Sequence, residues 1–273
     1  MTTLVDSPTD AAVSPLTAAG ARAELAATFL GNGANYNRYR PGFPLETVRR
    51  VAAARGGLLG DVLDLGAGTG KLTELLVPRA DAVTAIDPSA DMLAQLSAKL
   101  PAVDTRVGLA EDLPLASGSV DVVTVAQAFH WFDRDAASAE IARVLRPGGV
   151  LAIVWTVPDP HCAWDRACYR LAHPPRDLGD DDGALALGGD VHTPALPGFE
   201  TLRGERLRWS EHLTRSDYLQ RWGTVSTLLA SSEEQRAATL AGMEAILDAD
   251  PASAGRQLLK ARHITEVITY RVR

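Results

Sequence analysis

The sequence predicts an α/β fold, a mostly parallel β-sheet with helices on both faces, and two observations carry that prediction. Short apolar runs alternate with amphipathic stretches from about Asp61 to Trp155. Buried runs joined through helices imply right-handed crossovers and a parallel sheet. The first run, "DVLDLG", opens directly into a glycine-rich turn ahead of a helical pattern, "AGTGKLTELL", as in nucleotide-binding strand–turn–helix units.

The elements follow in order. Residues 1–20, "MTTLVDSPTDAAVSPLTAAG", have neither a basic start nor a long apolar core, so they read as a mobile tail rather than a signal peptide. "DVLDLG" is β-branched, leucine-rich and stopped by glycine, and "TGKLTELLVPRA" places apolar residues at helical spacing. "DAVTAID" repeats the strand pattern, and "SADMLAQLSAKL" is the next helix with Ser89 as its N-cap. "VDTRVGLA", "SVDVVTVAQA" and "GGVLAIVW" supply three further strands. The helix "DAASAEIARVL" precedes the last of them and stops at Pro147 and Gly148-Gly149.

After Trp155 the pattern breaks. "TVPDPHCAWDRACYRLAHPPRDLGDDDGALALGG" is rich in Pro, Gly and Asp and holds one short aromatic helix. It is too long for an ordinary connection, so it reads as a lid or substrate-binding insertion. Order returns with "FETLRGERLRWSEHL", two helical stretches (Arg215 to Leu229 and Glu233 to Asp248) and a last strand, "HITEVITYRV". With no internal repeat and no second dinucleotide-type unit, residues 21–273 read as one elaborated domain.

Composition narrows the function classes. The 273 residues are 46% apolar and 22% charged, ordinary for a globular enzyme. A net charge of −7 with pI ≈ 5.4 argues against duplex nucleic acid, which needs a clustered basic surface. Cys162 and Cys168 lack a zinc spacing and are too few for a disulfide scaffold, so both are expected to be reduced. No stretch is long and apolar enough for a membrane span, and the expectation is a cytoplasmic protein.

The glycine turn nearly matches two signatures. A phosphate loop, G-x-x-x-x-G-K-[ST], would need glycine at Leu65 and a hydroxyl at Leu72, and has neither. A dinucleotide fingerprint, G-x-G-x-x-G, is met by Gly66 and Gly68 but has Lys71 at its third position. The second strand ends in Asp87, nineteen residues after Gly68, where an acid at a strand tip accepts ribose hydroxyls. Asp87 also reads as a cap for the following helix. A ribose acid without a pyrophosphate turn points to a nucleoside cofactor rather than a dinucleotide.

"VLDLGAGTGKLT", "AIDPSADML", "LAEDLPL", "AQAFHWFD" and "LRPGGVLAIVW" resemble, in order and spacing, the successive motifs of class I S-adenosylmethionine-dependent methyltransferases. With "YNRYRPGFP" and the late "ITEVITYRV", the resemblance spans roughly residues 30–157 and the C-terminal end. It is nearest to small-molecule enzymes of the trans-aconitate or ubiquinone/menaquinone-biosynthesis kind. It implies a Rossmann-like sheet with an antiparallel last strand, a cofactor-binding core over about 55–157, an insertion over about 158–198, and C-terminal strands and helices over 199–273.

The resemblance also implies roles. Gly66, Ala67 and Gly68 would let the backbone approach the methionine part of S-adenosyl-L-methionine, with Asp64 beneath the turn and Asp87 on the ribose. Met92 would lie on the adenine face, or in the helix core instead. Ala110, Glu111 and Asp112 would edge the adenine, although relatives often carry an acid where this chain has Leu109. Tyr36 and Arg40 would close over the cofactor, Arg40 meeting its carboxylate, or be a surface aromatic and a solvated charge instead. Gln127 would face the sulfonium. The product would be S-adenosyl-L-homocysteine.

A sulfonium methyl is already activated, so transfer needs positioning of a nucleophile and, where it is protonated, a base. His130 is the candidate base, because its unperturbed pKa lies nearest neutrality; its other reading is a pocket-shaping residue. Trp131 is pocket wall or core. From the insertion, Trp164 and Tyr169 are the candidate walls for a small-molecule acceptor, with His161, Arg166, Arg170 and His173 nearby. A nicotinamide-dependent oxidoreductase and a non-methylating binding module are the rival classes, the former opposed by Lys71.

Overall fold

The computed structural model describes residues 33–173 and 195–273. The expected N-terminal tail and residues 174–194 of the expected insertion lie outside the described residues.

Seven strands form one sheet among the described residues: β1 (Asp61–Leu65), β2 (Ala82–Asp87), β3 (Asp104–Val107), β4 (Val120–Ala126), β5 (Leu145–Pro158), β6 (Phe199–Thr214) and β7 (Leu258–Val272). Their order is β3-β2-β1-β4-β5-β7-β6. The pairings from β3 to β5 are parallel, while β7 runs antiparallel to both β5 and β6. This is the Rossmann-like arrangement with an antiparallel last strand.

Period-two alternation splits the core into two faces. Leu63 and Leu65 of β1, Val123 and Val125 of β4, and Leu151 and Ile153 of β5 turn to one face, under Ile141 and Val144 of helix α5 (Arg134–Val144). The intervening Val62, Val122, Ala152 and Val154 turn to the other, with Val48 and Val51 of α2 (Leu45–Ala54) and Leu93 and Leu96 of α4 (Ala90–Lys99). Burial on both faces is why these strands read as unbroken apolar runs. Ser89 caps α4 as expected, its side chain accepting the Met92 N–H.

Two elements differ from the sequence expectation. The helix after the glycine turn is short, α3 (Thr73–Leu76), and continues only as a 3₁₀ turn over Val77–Arg79. Positive φ persists through Gly70 at +79°, which holds the chain out of the helical region for one further turn. The stretch from Arg215 breaks into α7 (Arg215–Trp222) and α8 (Ser226–Leu229), with Gly223 between them.

β5, β6 and β7 run 14, 16 and 15 residues, well past the strands of the parallel half. On this extension sits a third cluster, joining α6 (Ala163–Ala172), α7 and α9 (Glu233–Ala249) through Trp164, Cys168, Tyr218, Trp222, Met243 and Leu247. Cys162 and Cys168 are free and buried there, burial pushing their thiols up to about 11 and about 12. α1 (Gly33–Tyr39) is tied to this lobe, because Arg221 Nε donates to the Tyr39 carbonyl at 2.8 Å. The neighbouring Arg40 donates to the Thr224 carbonyl at 3.0 Å. No helix among the described residues is long and apolar enough to cross a membrane.

Candidate functional site

The carboxyl ends of β1 and β4 open onto a cleft of about 240 Å³, where open α/β sheets place their ligands. Its floor is the glycine turn. Gly66 (φ +68°) and Gly68 (φ +56°) take left-handed backbone, and the Gly66 and Ala67 N–H groups both donate to the Ile86 carbonyl, at 2.8 and 3.2 Å. A Cβ at Gly66 would lie 2.5 Å from the Ala128 Cβ, whereas one at Gly68 would meet only the Met92 sulfur, at 3.5 Å. Gly66 thus serves packing, while Gly68 leaves an open approach.

Two buried carboxylates brace this turn. Asp64 is 1% exposed and accepts hydroxyl bonds from Thr73 at 2.6 Å and Thr124 at 2.8 Å. Burial nevertheless pushes its pKa up to about 6. Asp87 takes the Gly68 N–H on one oxygen at 2.9 Å and the Ser89 N–H on the other at 2.8 Å. Burial raises its pKa too, against those two backbone bonds. Asp87 therefore joins the turn to the second strand and holds Ser89, the N-cap of α4, and the Met92 sulfur lies 3.5 Å from where a Cβ on Gly68 would stand. Lys71 lines the cleft, and burial lowers the pKa of its amine, with Glu74 opposing.

The tip of β4 forms the opposite wall. Gln127, at φ 58°, is the non-glycine residue with positive φ among the described residues, a strain that needs surrounding structure to hold it. Its side-chain amide donates to the Thr156 carbonyl at 2.7 Å. His130 lies with its ring 4.2 Å from that of Trp131 and 4.8 Å from that of Trp155. The two indoles desolvate it and push its pKa down to about 4. His130 is nonetheless an exposed residue, so cleft water moderates that push. Its ring makes no hydrogen bond among the described residues, which leaves both nitrogens open to a ligand.

The lobe on the extended strands closes the far end. Tyr169 and His173 stack at 4.2 Å beside Trp222, all three lining the cleft. Asp165, one turn before Tyr169 on α6, also lines it, its Oδ1 accepting the Tyr218 hydroxyl at 2.7 Å. Behind it, Glu211 accepts from His263 at 2.7 Å and from Arg221 at 2.8 Å.

Of the residues singled out in the sequence, Arg40, Asp64, Gly66, Ala67, Gly68, Gln127, His130, Trp131 and Tyr169 share the cleft wall. Ala110, Glu111 and Asp112 lie past the edge strand β3. Ala110 is buried and Asp112 exposed, while the Glu111 carboxylate accepts the Asp133 N–H at 2.6 Å, so it braces the start of α5. Trp164 is a correction. It is 4% exposed and packs edge-on against Tyr218 at 5.0 Å, inside the third cluster rather than on the cleft. The side chain of Tyr36 lies outside the described residues.

Sequence reasoning missed Asp165, Trp155, Arg221, His263 and Thr69 on the cleft wall. A helical-face count would have found the first, since Asp165, Tyr169 and His173 recur at i, i+4 and i+8.

A family model described as a methyltransferase domain matches residues 63–153. An uncharacterised methyltransferase of Mycobacterium tuberculosis is 37% identical over 232 residues, covering 84% of this chain and 89% of that protein. The ubiquinone/menaquinone biosynthesis C-methyltransferase of Rubrivivax gelatinosus is 41% identical over 125 residues, 45% of this chain and 48% of that protein. A solved structure from Anaeromyxobacter dehalogenans, assigned as a type II methyltransferase, is 31% identical with a TM-score of 0.63, covering 86% of this chain and 98% of its own.

Proposed function

The chain belongs to the methyltransferase family, and we propose that it transfers a methyl group from S-adenosyl-L-methionine to O, N or C of a small-molecule acceptor in the cytoplasm, releasing S-adenosyl-L-homocysteine. The observation that carries this reading is the bond from the Gly68 N–H to Asp87 beside the Met92 sulfur. It sets a carboxylate at the tip of the second strand against the open face of the glycine turn. Asp87 spends one acceptor position per oxygen on backbone, and a carboxylate has about four, so two remain for a ribose diol.

The other groups suit the same ligand. Thr69 is 1% exposed and lines the cleft with its hydroxyl unpartnered among the described residues, as a donor awaiting a ligand would be. Asp64 offers buried negative charge under the turn for an amino group, and Arg40 and Lys71 offer positive charge at the rim for a carboxylate. The cofactor supplies a methyl already activated on sulfur, so the protein's contribution is in-line positioning and, for a protonated nucleophile, proton removal. Gln127, fixed on the Thr156 carbonyl, shapes the wall where the methyl would pass. His130, its pKa pushed down by burial, is unprotonated at physiological pH, a weaker base than a free imidazole and the candidate to take a proton from the acceptor. The net charge of −7 favours a small acceptor over nucleic acid.

The test is calorimetric titration with S-adenosyl-L-homocysteine, with NADH as control. Micromolar binding is expected, weakened about 10–100-fold in Asp87→Ala, as for loss of charge-assisted hydrogen bonds. Absence of binding, or preference for NADH, would overturn the proposal.

A further inference from the structure

Besides the Thr69 hydroxyl, two buried polar atoms of opposite kinds on the cleft wall have no partner among the described residues. Asp165 is 2% exposed and its Oδ2 accepts nothing; Trp222 is 5% exposed and its Nε1–H donates to nothing. Both residues line the cleft that holds Gly66, Gly68 and His130, and both are held in place. Asp165 is fixed through Oδ1 by the Tyr218 hydroxyl at 2.7 Å, and Tyr218 packs edge-on against the Trp222 ring at 6.0 Å. Buried polar groups are almost always paired, so an unanswered acceptor and donor on one wall call for a ligand that answers both.

We propose that Asp165 and Trp222 together bind a hydroxyl of the methyl acceptor, which makes that acceptor a hydroxylated ring compound. A hydroxyl donates and accepts through one atom, giving its proton to Asp165 and its lone pair to Trp222. An ammonium has only donors and would leave the indole N–H unanswered. A carboxylate has only acceptors and would face Asp165 with like charge. The ring follows from the walls, which carry the stacked Tyr169 and His173 and the paired Trp155 and His130 rings. Burial raises the pKa of Asp165, with His263, the Tyr218 hydroxyl and Arg221 opposing it and Glu211 adding to it.

The inference rests on the methyltransferase reading, and its test keeps the two separable. Binding of phenol, anisole and benzylamine is measured by protein-observed NMR, with and without saturating S-adenosyl-L-homocysteine, whose own affinity is read independently. Phenol is expected to bind at least about fivefold more tightly than anisole or benzylamine, the advantage of a paired over an unpaired buried group. In Trp222→Phe, which keeps the ring and loses the N–H, that advantage should fall to about twofold or less. In Asp165→Asn the amide oxygen keeps the Tyr218 bond and turns an NH₂ to the cleft, so anisole should equal or overtake phenol. An unchanged affinity for S-adenosyl-L-homocysteine certifies that each variant is folded. Equal binding of phenol and anisole by the unsubstituted protein, tighter benzylamine, or a phenol preference untouched by both substitutions would overturn the hydroxyl site. Failure to bind S-adenosyl-L-homocysteine would overturn the methyltransferase reading instead, while the phenol comparison still decides this one.

Discussion

Asp64 sits near the carboxyl end of β1, buried, with two hydroxyl donors. Those two bonds pull its pKa down, yet desolvation outweighs them and moves it from 3.8 to about 6. The folded state therefore holds a proton that the unfolded chain releases near pH 4. The associated stability is complete below pH ~4 and is lost as pH rises through ~6. A shift of about two units corresponds to on the order of 2–3 kcal/mol. Asp64→Asn keeps the shape and has no proton to lose, and the threonine hydroxyls can rotate to suit the amide. Urea unfolding at pH 4 and pH 7 should accordingly show the variant gaining on the unsubstituted protein by about 1–3 kcal/mol as pH rises. A difference that does not change with pH would show that Asp64 is charged in both states. The position is worth such an acid only where positive charge arrives, which agrees with a cofactor amino group beneath the turn.

At the scale of elements, the glycine turn separates packing from binding. Alanine at Gly66 meets both a left-handed backbone and the Ala128 Cβ at 2.5 Å, while alanine at Gly68 meets the backbone penalty with its nearest neighbour at 3.5 Å. Gly66→Ala should lower stability by about 2–4 kcal/mol, and Gly68→Ala by about 1–2. Only Gly68→Ala should lose most of its S-adenosyl-L-homocysteine affinity while its urea midpoint stays close to that of the unsubstituted protein. The reverse ranking would put the ligand on the other side of the turn. These glycines, like β1, β2, β4 and β5, were legible in the sequence because burial on both faces writes a continuous apolar run and a sharp turn demands glycine. β6 was legible only in part, since its exposed, charged face, "RGERLRWSEHLT", hides a strand of 16 residues. Trp164 and Asp165 are neighbours on α6, about 100° apart around the helix. The aromatic signal therefore picked the residue that faces the core and passed over the one that faces the cleft. Trp155 reads in sequence as the end of a strand, and its partner His130 becomes visible only when β4 and β5 pair.

At the scale of the molecule, three separate stretches meet on one ligand-sized space: the residues around Arg40, the turn on β1, and the lobe carried by the extended β5, β6 and β7. One sheet runs beneath all of them, and Arg221 ties the first to the third through the Tyr39 carbonyl and Glu211. Such a body should unfold in one cooperative step, and a ligand touching all three stretches should stabilise the whole. At about 100 times its dissociation constant, S-adenosyl-L-homocysteine should add about 2.7 kcal/mol. For a chain of this size that raises the melting temperature by about 5–10 °C. Arg221→Met keeps the length of the side chain and removes both ties. It leaves Glu211 with His263 alone, at a cost of about 3 kcal/mol, and it loosens the hold of the lobe on the Arg40 segment, which then rests on the Arg40 bond to the Thr224 carbonyl. Differential scanning calorimetry should then show a lower melting temperature and a smaller ligand-induced rise. A rise equal to that of the unsubstituted protein would mean that the segment around Arg40 takes no part in holding the ligand. Two resolved transitions in the unsubstituted protein would mean that the lobe and the parallel sheet are energetically separate, and that the cleft between them is assembled only when the ligand binds.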